Sequence, residues 1–306
     1  MQAGNNVHLF YRAVRFKNYS AIGYCKMDGP LCVNERDDKP FLAPEFDYES
    51  HGMEDPRIVQ IDDLYYLTYV AFDGKNALGA VATSEDLEHF SKRGIISPVI
   101  KYTDFDRFTK NDSDLNKKYL YYNKGADILA DKDVVFFPRR INGKLAFMHR
   151  IKPDIQLTVV NDLDGLTAEF WQDYFSHFGE HILLAPKYDH EVCYIGGGCP
   201  PVETEHGWLL IYHGVKTAAK GFEYSCCAAL VDIDDPRKEI ARLPYPLFKP
   251  ELDYELKGDV DDVVFPTGTA LFNDRLYIYY GAADELIACA SVSLRGLVDE
   301  LLKNKI

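Results

Sequence analysis

The chain has 306 residues, of which 34 are basic and 48 acidic, leaving a net charge of −14. A surface this acidic disfavours a polyanionic partner, so nucleic-acid binding is not expected. With 47% hydrophobic residues, and with 21 Tyr and 18 Phe, the chain can fill a core, and its aromatics favour strands over helices.

Its apolar runs are strand-sized, well short of the ~20 residues of a membrane-spanning helix. The opening MQAGNNVHLFYRAV has no basic segment followed by an apolar stretch, so no leader is read and a cytoplasmic location is expected. Seven cysteines, with Cys226 and Cys227 adjacent, read as reduced thiols rather than a disulfide framework. No CxxC pair or His-rich spacing appears, so neither a metal nor an organic cofactor is expected.

From the N-terminus onward, one pattern recurs: a polar turn, a Leu- and Tyr-rich strand with a polar end, a short break, then a second small or β-branched strand. Leu9, Tyr66, Leu145, Leu209 and Leu276 occupy equivalent places, at intervals of roughly 60 to 80 residues. Asp62-Asp63, Asn142-Gly143 and Asn273-Asp274 provide hairpin turns. Strand pairs at this period predict an all-β fold, a five-bladed β-propeller forming one domain over residues 1–306 and ending in a short C-terminal helix. Residues 103–133 read as a polar loop over one face, and 164–178 and the C-terminal GLVDELLKNKI as helices.

The first strand of each repeat ends near a polar residue: Arg12, Asp73, Arg150, His213 and Asp284. Equivalent strand ends in a propeller converge on the axis, which predicts a binding funnel, although buried ion pairs between blades would give a similar pattern. In GMEDPRIV (52–59), Glu54, Asp55 and Arg57 stand beside a proline just before a strand, as ligands or as an interblade lock. Lys132 and Asp133 open an apolar strand and should face the funnel mouth. IGGGCPP (195–201) is a loop in which bare backbone can approach a ligand, and FPTGTAL (265–271) is a similar turn. Trp208 and Tyr277–Tyr280 read as core rather than as sugar platforms.

In order, GMEDPRIV, YVAFDG, KDVVFFPRRINGK, MHR, IGGGCPPVETEHGWLLIYHGV and VVFPTGTAL…LYIYYGAAD resemble glycoside hydrolase family 130 over nearly the whole chain. That resemblance implies a five-bladed propeller acting on small β-mannosides or mannose oligosaccharides. It places Asp73 as the single catalytic acid, acting through a mannose hydroxyl, with Arg12 and Asp284 holding the mannose. It places Lys132, Arg150, Tyr194, His213 and Tyr224 at the phosphate positions of the family's phosphorylases. There the pattern has a lysine before the Ile-Gly-x-Gly loop, where this chain has Tyr194. Losing a cation there weakens phosphate binding, and Glu191 and Glu223 crowd the same stretch as candidate general bases. An inverting hydrolase of β-mannosides, expected to be β-1,2-linked, is therefore the first reading. A phosphorylase with inorganic phosphate as co-substrate is the second, and a non-catalytic mannoside-binding propeller the third. Family members also carry an asparagine-containing segment ahead of the Tyr-Arg-Ala strand. Only ten residues precede Tyr11 here, so the resemblance implies a shortened first blade and an incomplete mannose subsite.

Overall fold

A computed structural model describes residues 1–15 and 18–306. Antiparallel strands follow one another along the chain as five successive units. The first holds β1 (Gln2–Ala3), β2 (Asn6–Val14), β3 (Ser20–Asp28) and β4 (Cys32–Arg36). The second holds β5 (Gly52–Ile61), β6 (Leu64–Phe72), β7 (Ala77–Ser84) and β8 (Ser91–Ile95). A single parallel bridge, Ser20 to Gly52, joins these two units into one eight-stranded sheet. The third is the four-stranded sheet of β9 (Lys132–Phe136), β10 (Leu145–Arg150), β11 (Ile155–Val160) and β12 (Ile182–Leu184). The fourth contains β13 (Tyr194–Gly197), β14 (Val202–Thr204), β15 (Gly207–Thr217), β16 (Phe222–Val231) and β17 (Glu239–Arg242). The last has three strands, β18 (Val264–Phe272), β19 (Arg275–Ala282) and β20 (Leu286–Ser293).

The hairpin turns lie where the sequence places them. Asp62, Asn142 and Asn273 adopt left-handed backbone, with φ of 54°, 51° and 54°, and short polar side chains tolerate that conformation best. Leu9, Tyr66, Leu145, Leu209 and Leu276 all fall on the strand that follows a hairpin turn in their units, β2, β6, β10, β15 and β19.

Apolar clusters fill the spaces between units. Phe10 and Ile22 pack with Met53, Leu67 and Tyr69; Val59 and Tyr66 pack with Phe136 and Phe147. Val135 and Met148 meet Trp208 and Tyr212, which places Trp208 in the core. Leu209 and Cys226 meet Ile278 and Tyr280. Val7, Cys25 and Met27 then pack with Ala270 and Tyr279, so the fifth unit lies against the first. Burial of these faces is the main favourable term holding the units together.

The 103–133 stretch is not the expected loop. It folds as α1 (Tyr102–Thr109) and α2 (Ser113–Tyr122), because Phe105 and Tyr119 turn inward to join Tyr174, Phe175 and Phe178. The latter three belong to α3 (Ala168–Ser176) and the turn after it. Lys118 and the Tyr119 hydroxyl bond Asp154 at 2.7 and 2.5 Å, anchoring α2 to the third unit. After a one-turn helix, α4 (Asp253–Leu256), the chain ends in α5 (Leu294–Lys303), capped by Ser293 and buried through Leu297, Val298 and Leu301.

Candidate active site

Polar residues from all five units meet where β5 and β9 bulge. Between Glu54 and Arg57 the β5–β6 register shifts, and a second shift between Met148 and Arg150 distorts the pairing of β9 with β10. A bulge re-aims the side chains around it. Asp55, Asp133 and Asp284 there have φ of 50°, 56° and 58°. Non-glycine residues in this left-handed region are strained, and such strain concentrates at functional sites.

Glu54 links two cations: it accepts from Arg12 Nη2 at 3.1 Å and from Lys132 Nζ at 3.2 Å. Arg12 Nη1 also lies 3.7 Å from Asp284 Oδ2. Asp55 and Asp284 line one small cavity together with Arg12, Phe265 and Tyr280. Among the described residues no protein group hydrogen-bonds the Asp55 carboxylate. Burial, with Asp55 and Glu54 nearby, raises the Asp284 carboxyl above its usual range despite Arg12.

On the other side of Glu54 lies a cavity of about 530 Å³. Lys132, Arg150, Lys152, Tyr194 and Tyr224 line it, and residues 122–128 after α2 form one wall. Burial works against the Lys132 charge, but Asp55 and Glu54 raise its pKa overall. Asp133 is buried, with Oδ2 at 3.0 Å from Arg150 Nε, although the angle is not that of a hydrogen bond. His213 Nε2 is 3.4 Å from Arg150 Nη1 and 3.8 Å from Asp133 Oδ2. Burial, reinforced by Arg150 and Arg57, holds the His213 pKa well below its ordinary value, so this imidazole is neutral. The Tyr194 and Tyr224 hydroxyls hydrogen-bond one another, and burial raises the Tyr194 phenol, which keeps it a donor.

Several expectations are corrected. Glu191 is fully buried and faces away from these cavities. It accepts from the Lys187 and Tyr188 backbone N–H groups at 2.8 and 3.2 Å, from the Tyr212 hydroxyl, and from Arg242 at 3.2 Å. A carboxylate so engaged, fully buried and lining neither cavity, holds a turn and is not placed to activate a water there. Glu223 pairs with Lys216 on the neighbouring strand at 3.0 Å. Strand alternation puts it on the face opposite Tyr224. Arg57 is buried beneath the site, bonding the Asp55 and Pro56 carbonyls at 3.0 and 3.1 Å and the Gly198 carbonyl. It therefore holds the Asp55 backbone and lines neither cavity. Asp73 accepts from the Lys75 and Asn76 backbone at 2.8 and 2.7 Å and from the Asn76 side chain at 2.9 Å. Burial opposes its charge, but the Asn76 and Lys75 hydrogen bonds, aided by His51, outweigh it and hold the carboxyl below its usual range. Such a group resists carrying the proton that a general acid must deliver.

The glycines of 195–198 also serve a different end from the one expected. A Cβ on Gly196 would lie 2.4 Å from Asp133 Oδ2 and 2.5 Å from the His213 ring. The bare backbone there makes room for these two side chains.

Lys152 escaped the sequence reading because it lies in a turn beyond the end of β10 and no motif contains it. The Glu191 error had a readable signal. Phe46-Asp-Tyr-Glu49, Tyr188-Asp-His-Glu191 and Leu252-Asp-Tyr-Glu255 repeat one pattern. Each glutamate accepts two backbone N–H groups of its own turn and a tyrosine hydroxyl from the following hairpin: Tyr69, Tyr212 or Tyr280.

Comparison with known proteins identifies the family. Residues 4–303 match the family model Glyco_hydro_130, described as beta-1,4-mannooligosaccharide phosphorylase. A beta-1,2-mannobiose phosphorylase of Thermoanaerobacter sp. (strain X514) is 35% identical over 306 residues, covering 94% of this chain and 86% of that protein. A 1,2-beta-oligomannan phosphorylase from the same organism is 33% identical over 301 residues, covering 95% and 86%. In structure, the β-1,2-mannobiose phosphorylase of Listeria innocua, solved with β-1,2-mannobiose, superposes with a TM-score of 0.73 at 29% identity. That likeness covers 92% of this chain and 69% of the other. The chain belongs to glycoside hydrolase family 130.

Proposed function

We propose that this protein is a β-mannoside phosphorylase, taking β-1,2-linked mannose and inorganic phosphate and releasing mannose 1-phosphate. The observation that carries the reading is the cationic cavity of Lys132, Arg150 and Lys152 beside the Asp55–Asp284 cavity. The only carboxylate lining the cationic cavity, among the described residues, is Asp127, which is exposed and paired with Lys75 at 3.1 Å. The names of the relatives at 33% and 35% identity point the same way. The hydrolase reading rested on Tyr194 in place of a lysine and on Glu191 and Glu223, and both glutamates are engaged elsewhere. We also read the five units as blades of a propeller whose axis carries the site.

In this reading Asp55 takes the acid role assigned above to Asp73. Its carboxyl lies free in the cavity, and Arg57 fixes its backbone. Mannose sits against Arg12 and Asp284, and phosphate occupies the cationic cavity. A phosphate oxygen attacks the anomeric carbon from the face opposite the leaving group. The C1–O bond to the second sugar breaks, and its oxygen takes the Asp55 proton. This single displacement inverts the β linkage, giving α-mannose 1-phosphate.

The test is product analysis on β-1,2-mannobiose with and without phosphate. Mannose 1-phosphate formed only with phosphate is expected. Free mannose at an equal rate in both would restore the hydrolase reading.

A further inference from the structure

We propose that Lys152 is a phosphate-binding residue, supplying from the turn after β10 the cation that the family pattern carries at the position of Tyr194; this rests on the phosphorolysis reading. Three observations on geometry support it. Lys152 lines the same cavity as Lys132, Arg150, Tyr194 and Tyr224. Its Nζ stands 3.8 Å from the centre of the Tyr194 ring, so the ammonium occupies the neighbourhood of the absent lysine. Its turn is held in place: Pro153 O accepts from Ile195 N at 3.0 Å, and Lys152 O accepts from Asn123 Nδ2 at 3.2 Å. Among the described residues no carboxylate lies within ion-pair distance of its ammonium.

A cation placed against other cations without a counter-charge is unfavourable until an anion arrives. The charged and titratable groups around Lys152 are Arg150 on β10, Lys132 and Asp133 on β9, Cys193 and Tyr194 at β13, and Tyr224 on β16. His213 on β15 is neutral, and Lys124 stands on the wall after α2. Burial first, then Arg150 and Lys132, lower the Lys152 pKa to about 8 against the opposing pull of Asp133 and Cys193. A phosphate dianion bridging Arg150 and Lys152 would neutralise this crowding. The Tyr194 ring, packed under both Arg150 and Lys152, orients the two heads by cation–π contact.

The experiment compares wild type, Lys152→Ala, Lys152→Met, Lys152→Arg and the double variant Lys152→Ala/Tyr194→Lys in phosphorolysis of β-1,2-mannobiose. Loss of one charge-assisted contact should raise the KM for phosphate about 10- to 100-fold in the Ala and Met variants, with the KM for mannobiose unchanged. The double variant should recover most of the loss, since its lysine returns from the neighbouring strand. In wild type the KM for phosphate should climb as the pH passes about 8. Lys152→Arg should not show that climb, because guanidinium stays charged. Phosphate-dependent turnover with a phosphate KM unaltered in the folded Ala and Met variants would overturn the role of Lys152 alone. Phosphate-independent turnover in wild type would overturn phosphorolysis and this role with it.

Discussion

Three aspartates, Asp55, Asp133 and Asp284, hold left-handed backbone at the site, and their surroundings set them apart. Asp133 is buried against Arg150 and His213, Asp284 is half-exposed beside Arg12, and Asp55 is left without a hydrogen-bond partner among the described residues. A carboxyl that must hold and release a proton needs that freedom, whereas Asp73 has three N–H donors fixing its charge. Asp55→Asn should therefore lower kcat by about 10²- to 10⁴-fold, the usual worth of a general acid, with an unchanged melting temperature. Asp73→Asn should lose about 1 kcal/mol of stability from its turn and keep kcat within about threefold, well inside that range. Steady-state kinetics and thermal melts on both variants check this, and the reverse ranking would return the acid role to Asp73. Asp55 lies at the β5 bulge and Asp73 just past the end of β6. Residue type alone could not rank them, because the difference lies in the donors that surround each.

At the scale of elements, the site depends on strands that leave regular pairing. The β5 bulge turns Asp55 toward a cavity and the β9 bulge turns Asp133 toward Arg150 and His213, and β13 must pass close enough to cover Asp133 and His213. Gly196 makes that approach possible. Gly196→Ala would drive a methyl into the Asp133 carboxylate and the His213 ring. A displacement of this kind should raise the KM for phosphate about 10- to 100-fold, leaving the KM for mannobiose nearly constant. Equal rises in both constants would show that Gly196 supports the fold and not the anion cavity. The sequence marked 195–201 as a place for bare backbone, and that was legible; which neighbour required the space was not. Helices α1 and α2 were hidden for a related reason. Their apolar residues Phe105 and Tyr119 are sparse in a polar stretch, and only the partners on α3 turn them into a core.

Across the whole molecule, burial of histidines should govern acid stability. His213, His181 and His190 all have lowered pKa values, with desolvation the largest cause, and His181 falls to about 4. A lowered folded-state value means that the unfolded chain binds the proton more readily. The stability these groups contribute is complete above the unfolded value of about 6.5 and is lost as the pH falls below it. His89 runs the other way, raised by Asp86, but it is fully exposed and solvent screens it. Urea midpoints should thus drop between pH 7 and pH 5, a window above that of the carboxylates with lowered values. A flat profile over that window would show that these imidazoles are solvated in the folded protein.

Taken by itself, the sequence determined the repeated strand pairs, their turns, the family, and the arginine, lysine, histidine and tyrosine positions that meet at the site. These are local features: the alternation of apolar residues, the left-handed turn residues and motif spacing all operate within one hairpin. Tertiary structure decided which carboxylates line a cavity: Asp55 and Asp284, and neither Asp73 nor Glu191. It also decided that Lys152 joins Lys132 and Arg150 in lining another. Those properties arise where strands from all five units approach one another. There, a bulge or a partner from another unit sets the face and the neighbours of a side chain, as Glu54 takes Arg12 and Lys132 from two different units.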